Sequence, residues 1–289
     1  MQVMQRVESE LTSLLAQAAT GGCPPQLAAA MRYAVFPGGA RVRPRMCLAV
    51  AVACGEDDPR IADAAAASLE LLHCASLVHD DLPCFDDAEL RRGRPSVHRS
   101  FGERLGVLCG DGLIVLAFEA LARAGEHAPA RLPALLRIIG AAAGTPSGAV
   151  AGQAWECEPD VELAAYHRAK TGALFAACTM AGAAAAGADP QSWRAVGEQL
   201  GEAYQVADDL RDVAADAAEI GKPVGRDAAL GRPNSVAALG MPGAVARLDE
   251  LVSGALEVIP ECPGAATIRR LIGIEVRRLI PRKLTAHAA

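Results

Sequence analysis

The sequence predicts one all-α domain, and three observations carry that prediction. Of 289 residues 52% are hydrophobic but only 3% aromatic, and alanine, the strongest helix former, recurs throughout. No Val/Ile/Thr-rich segment alternates cleanly between apolar and polar residues, as a half-buried strand would. No internal repeat, heptad array or low-complexity linker divides the chain, so 1–289 reads as a single domain with ample length for a core.

The elements follow in order. An amphipathic helix from about Val3 to Ala18 opens the chain, and its acidic residues argue against a secretory leader. Pro24-Pro25 break the chain before a helix from about Gln26 to Val35. Phe36-Pro37-Gly38-Gly39 forms a sharp turn, followed by Ala40-Arg41-Val42-Arg43-Pro44-Arg45 and an apolar helix from Met46 to Cys54. Three arginines at alternate positions read either as a solvated loop or as an anion-binding rim, because guanidinium forks fit phosphate. A helix from Arg60 to His79 is ended or bent by Pro83. The basic loop Arg91-Arg92-Gly93-Arg94-Pro95 precedes helices over about Arg104 to Arg123, an Ala/Leu stretch after Pro133, and Ala151 to Glu156. Glu162 to Ala185 reads as one helix with Lys170-Thr171-Gly172 near its middle; the lysine either snorkels or faces a ligand, and the glycine suggests a kink or close backbone approach. Ser192 to Asp216 is helical, Glu219 to Asn234 is a polar loop, and Met241 to Ile259 and Ala265 to Leu284 close the chain.

Composition excludes several functions. A net charge of -6 leaves no nucleic-acid footprint. Nine cysteines without CxxC spacing read as reduced thiols of a cytoplasmic protein rather than a disulfide framework. A zinc site from His73, Cys74 and His79 is poorly spaced. The most apolar long run, Gly172 to Ala188, is Ala/Gly-rich and short of a membrane span, so a buried helix explains it better.

Two acidic clusters stand out. Asp80, Asp81, Asp86 and Asp87 lie within eight residues at the end of an apolar helix, just ahead of Arg91-Arg92. Acids at a helix C-terminus oppose the helix dipole, and bound cations would relieve the conflict. Hard ions such as Mg²⁺ prefer carboxylate oxygens and share them with substrate phosphates. Far along the chain, Asp208 and Asp212 stand four apart on one helix face with Asp209 near the same edge, a spacing that is repulsive without a cation. The two clusters read as opposite jaws gripping a diphosphate through metal ions, with the two pairs of the first cluster converging on one ion.

With Asp80-Asp81-Leu82-Pro83-Cys84-Phe85-Asp86 followed by Arg91-Arg92-Gly93, with Asp208-Asp209-Leu210-Arg211-Asp212, and with Gly38-Gly39, Arg43-Pro44, His73, Lys170-Thr171, Gln205 and Gly221-Lys222 in order between and around them, nearly the whole chain resembles the trans-isoprenyl diphosphate synthases, or polyprenyl synthetases. Within that family it is most similar to the geranylgeranyl diphosphate synthases of purple-bacterial carotenoid and bacteriochlorophyll pathways. The resemblance implies a helical barrel around a deep apolar cavity, a homodimer, and two or three Mg²⁺ ions. It implies metal ligation by Asp80, Asp86, Asp208 and Asp212. Arg91, Lys170, Thr171, Gln205 and Lys222 would hold the allylic diphosphate, with Arg232 where a further lysine is common. Arg43, His73 and Arg92 would hold isopentenyl diphosphate. The sequence departs from the family at Ala40, where a lysine that contacts isopentenyl diphosphate is expected, which leaves that anion to the three residues just named, helped by Arg41 or Arg45. Tyr204 replaces a phenylalanine.

The implied reaction is ionisation of the allylic diphosphate, attack on the cation by the alkene of isopentenyl diphosphate, and proton loss. The growing tail would run beside the helix ending in Asp80, and Ala75 lies about 7–8 Å below the metal site. Both Ala75 and Ser76 are small where short-product relatives carry a bulky floor, so a geranylgeranyl product is expected, with Leu72, Leu113, Leu116 or Ala117 as a lower floor. A farnesyl-length product, a class I terpene cyclase and a non-catalytic subunit of a heteromeric synthase are the alternatives.

Overall fold

The computed structural model describes residues 2–160, 163–214 and 235–279, and among them regular structure is helical apart from one tiny hairpin. The helices are α1 (Gln2–Ala18), α2 (Pro25–Val35), α3 (Val42–Ala53), α4 (Pro59–Asp80), α5 (Val97–Phe101), α6 (Glu103–Gly125), α7 (Leu132–Ala143), α8 (Ala149–Ala154), α9 (Leu163–His167), α10 (Ala173–Ala185), α11 (Arg194–Ala214), α12 (Ser235–Glu257) and α13 (Ala265–Leu279). The all-α expectation is met.

α4 is the central helix. Asp58 caps it, its carboxylate accepting from Arg60 N at 3.1 Å, and Pro59 occupies the first turn where a missing N–H costs nothing. From Ile61 to Val78 nearly every residue is buried against α3, α6 and α10. By length and hydropathy α4 and α6 could each cross a bilayer, but the apolar window of α4 is 78% buried among the other helices. α10, which contains most of the apolar 172–188 run, is buried from Leu174 to Ala185, as expected of a core helix.

The helices approach closely because small residues line their seams. A Cβ on Gly182 of α10 would strike Cys47 O of α3 and sit 2.9 Å from Val50 Cβ. A Cβ on Gly201 of α11 would lie 3.0 Å from Gly172 Cα, and one on Gly152 of α8 would strike the backbone of Lys170.

Three elements differ from the sequence reading. α3 begins at Val42 rather than Met46, because Pro44 is tolerated in a first helical turn. That shift removes Arg41 from any anion-binding rim: it sits at φ 51° and is buried, with Nη1 on Glu70 Oε1 (2.6 Å), Nε on Glu8 Oε1 (2.8 Å) and Nη2 on Val35 O (2.8 Å). The 162–185 helix is interrupted at Arg168–Gly172 by a π turn, the irregularity that Gly172 hinted at. The basic loop is a hairpin, β1 (Leu90–Arg91) with β2 (Arg94–Pro95), whose two turn residues Arg92 and Gly93 both take positive φ.

The α3–α10 seam yields a stability prediction. Gly182→Ala should cost about 1–3 kcal/mol through overpacking and lower the thermal midpoint, whereas Gly140→Ala, whose Cβ would meet nothing within 4 Å, should raise it. Equal shifts in thermal melts would refute the close-packing account.

Candidate active site

The first acidic motif is shaped by the way α4 stops. Asp80 is its last residue and Asp81 its C-cap. The chain then winds back, with Leu82 N on His79 O (3.0 Å) and Asp86 N on Asp80 O (3.0 Å), so Asp86 returns beside Asp80. Pro83 lies in this loop, beyond the end of the helix. Asp80 and Asp86 are thus neighbours, but Asp81 is not part of a converging set. It is buried, and Arg91 grips it through Nε (3.0 Å) and Nη2 (2.5 Å). Burial raises the Asp81 carboxyl above its usual range despite that partner. Burial likewise opposes the Arg91 charge, but the bonds to Asp81 outweigh it and raise the guanidinium further. Among the described residues no three His, Cys, Asp or Glu side chains close on a single point. The expectation that both carboxylate pairs meet on one ion is therefore corrected: Arg91 neutralises Asp81, leaving Asp80 and Asp86.

The π turn ties this motif to the second. Lys170 Nζ lies 3.3 Å from Asp80 Oδ1 and 2.5 Å from Glu156 Oε1. Burial works against the ammonium, but Asp80 and then Glu156 hold its proton more tightly than usual. The next residue, Thr171, donates to Gln205 Oε1 on α11 (3.2 Å). Gln205 Nε2 in turn reaches Asp209 Oδ1 (3.1 Å), whose other oxygen accepts from Ser235 N (2.8 Å) at the start of α12. Asp209 is therefore a buried structural acceptor. Asp208 is partly exposed, 3.9 Å from Arg211, and Asp212 follows one turn later on the same helix. Consecutive residues of one π turn thus touch Asp80 and a residue one turn from Asp208, which brings these two positions to the same end of the bundle. Lys222 and Arg232 lie outside the described residues.

Beside this charge array is a second cationic cluster. Arg43 stacks on Phe175 and Tyr204, its guanidinium carbon 4.6 and 5.8 Å from the ring centroids, and Nη1 lies 3.3 Å from His73 Nε2. Burial, reinforced by Arg43 and then Arg92, holds the His73 imidazole well below its usual range, so the neutral ring accepts from Arg43. Arg43 Nε is a buried donor with no acceptor among the described residues. The Gly-Gly turn is packed between arginines: Arg41 fills the space a Gly38 Cβ would need, and the Arg92 guanidinium would lie 3.3 Å from a Gly39 Cβ. Arg43 and Arg92 both act on His73, so the three residues lie in one neighbourhood. The zinc alternative dissolves, since His73 faces Arg43, Cys74 reaches Glu70 (4.0 Å) and His79 reaches Val107 O (3.2 Å).

Glu156 escaped the sequence reading. It accepts from Lys170, Tyr166 Oη (2.6 Å) and Gln153 Nε2 (2.9 Å), and it sits one helical turn after Gly152, whose missing side chain lets α8 touch the π turn. An acid closing Gly152-Gln153-Ala154-Trp155-Glu156 was the available signal, weak because it looks like an ordinary helix end.

The donor set suits magnesium. Asp80, Asp86 and Asp208 offer hard carboxylate oxygens that are at least partly exposed, and Mg²⁺ takes one or two carboxylates while keeping water and phosphate oxygens, so a closed cage is not required.

Comparison with known proteins agrees with this geometry. Residues 24–256 match the family described as Polyprenyl synthetase. The chain is 50% identical over 283 residues, 98% of each chain, to a geranylgeranyl diphosphate synthase of Cereibacter sphaeroides, and 49% identical over 97% of each to one of Rhodobacter capsulatus. It superposes with TM-score 0.78, at 29% identity and over 94% of its length and 96% of the other, on a Helicobacter pylori geranyltransferase complexed with magnesium and isoprenyl diphosphate. The chain belongs to the polyprenyl synthetase family.

Proposed function

We propose that this enzyme joins isopentenyl diphosphate to an allylic diphosphate (dimethylallyl, geranyl or farnesyl) and releases geranylgeranyl diphosphate. One observation carries the reading. Two separate cationic clusters open at one end of the bundle, Arg91 and Lys170 on the acidic motif and Arg43, Arg92 and His73 beside it, with the Arg43 Nε donor unpartnered among the described residues. A condensation needs two anion sites, one for each diphosphate. A cyclase needs one.

Magnesium held by Asp80 and Asp86 from one side and Asp208 and Asp212 from the other would supply the charge that makes the allylic diphosphate a leaving group. Arg91 and Lys170 would turn from their carboxylates to the same anion, with Thr171, Gln205, Lys222 and Arg232 completing its grip. Glu156 and Tyr166 keep Lys170 aimed at the motif. Arg43, neutral His73 and Arg92 position isopentenyl diphosphate so that its alkene faces the ionising carbon. The departing diphosphate takes the proton, and apolar walls exclude water from the cation.

Product length follows from α4. Ala75 is buried, about 7–8 Å along the helix from Asp80. Ser76 turns its hydroxyl back to His73 O (2.9 Å), so neither residue projects bulk. Leu72, Leu113, Leu116 and Ala117 are buried further down and form the proposed floor.

We also infer a homodimer. α6 has a mean hydropathy of 1.9 over its most apolar window, yet only 44% of that window is buried, and Val107, Leu108 and Val115 are exposed. A second copy would cover this face. All nine cysteines are free, which fits a reducing cytoplasm.

Purified protein with magnesium and both substrates should release diphosphate and a twenty-carbon product, and allylic diphosphate alone should not turn over. Turnover of the allylic substrate alone would favour a cyclase, and no diphosphate release a non-catalytic subunit. In the same chromatographic assay Ala75→Tyr should shorten the product; an unchanged length would remove Ala75 from the floor. Sedimentation should give the mass of two chains, and a single-chain mass would refute the dimer.

A further inference from the structure

Two half-buried cysteines far apart in sequence, Cys54 and Cys262, flank the contact between the end of α3 and the α12–α13 connection. The backbone sets this contact. Cys262 opens a turn with Pro263 and Gly264 at its centre, closed by Ala265 N donating to Cys262 O (3.1 Å). This turn presses Gly264 onto the end of α3: Gly264 N donates to Ala53 O (2.8 Å), and a Cβ on Gly264 would lie 2.5 Å from Ala53 Cα and 2.9 Å from Ala53 Cβ. Cys54 is the next residue, the C-cap of α3, its own N–H tied to Val50 O (2.9 Å). Its thiol lies within interaction range of the Cys262 side chain and of Trp193, which is buried beneath it.

The other thiols differ in access or chemistry. Cys47, Cys74, Cys109 and Cys178 are buried, where a small oxidant cannot reach them, and burial lifts Cys74, Cys109 and Cys178 to about 12. Cys84 and Cys157 are exposed and open to adduct formation, and Cys23 is half-buried with its thiol on Pro24 O (3.8 Å). Cys54 and Cys262 combine partial access with a neighbouring sulfur. Burial, and then Cys262, push the Cys54 thiol up to about 11, which makes it a poor first nucleophile.

We propose that Cys54 and Cys262 form a reversible disulfide that staples α3 to the α12–α13 connection when the enzyme meets a low-molecular-weight disulfide such as oxidised glutathione. Cys262 attacks one sulfur of the small disulfide, forming a mixed disulfide and releasing one small thiol. Cys54 then displaces the second small thiol. Two protein thiols and one small disulfide thus become one protein disulfide and two small thiols, the small disulfide being reduced. Cys54 lies at the opposite end of α3 from Arg43, about 16 Å along the helix axis, so the staple acts on stability and leaves the anion sites in place.

The test uses the full chain with excess oxidised glutathione, then alkylation and peptide mapping without reductant. The expected result is a Cys54–Cys262 linked peptide, a thermal midpoint raised by several degrees and restored by dithiothreitol, and unchanged turnover. Cys54→Ser should lose both the linked peptide and the shift, leaving glutathione on Cys262. Recovery of Cys54 and Cys262 as free thiols or separate glutathione adducts would overturn the proposal. So would a linked peptide that leaves the midpoint unmoved.

Discussion

The architecture depends on a charge conflict at the carboxyl end of α4. A helix of 22 residues points its negative end at Asp80 and Asp81, and the following loop returns Asp86 to the same place. Helix dipole and carboxylates repel one another there. Arg91 relieves Asp81, and Lys170, shared with Glu156, relieves Asp80. The cations that relieve the conflict are those that would grip a diphosphate, and Asp80, which Lys170 would leave, is one of the carboxylates that would take magnesium. The site therefore holds both halves of the binding chemistry side by side.

Small residues make that arrangement possible. Lys170 reaches Asp80 from a π turn that α8 approaches closely because Gly152 has no side chain, and α11 approaches it closely because Gly201 has none. Gly182 does the same for α3 and α10, drawing Arg43 over Phe175 and Tyr204. Helix packing this close delivers polar groups from α3, α4, the π turn and α11 to one end of the bundle while apolar side chains fill the rest. The neutrality of His73 has the same origin: a half-buried ring between arginines has no use for a third charge.

Much of this was legible in the sequence because it is local. Helix periodicity, the stop at Asp80, the acidic pairs and the family motifs are short-range patterns, and the adjacency of Arg43 and His73 follows once the family is named. What was not legible is long-range pairing. Arg41 looked like a member of an anion rim because alternation with Arg43 and Arg45 suggests an extended loop. Its partners Glu8 and Glu70 lie on other helices, and Pro44 starts α3 earlier than expected. Asp81 and Asp209 looked equivalent to their neighbours, yet each is buried on a structural partner, Arg91 and Ser235 N. Glu156 was missed because its importance lies in what it holds.

The most direct test of the two-jaw grip is calorimetric binding of a non-ionising thiolo analogue of the allylic diphosphate, with magnesium and after its removal by chelator, alongside isopentenyl diphosphate. The account predicts that the allylic analogue loses its affinity without magnesium, while isopentenyl diphosphate, held by Arg43, His73 and Arg92, keeps most of its own. Equal binding of the allylic analogue in the two conditions would contradict it.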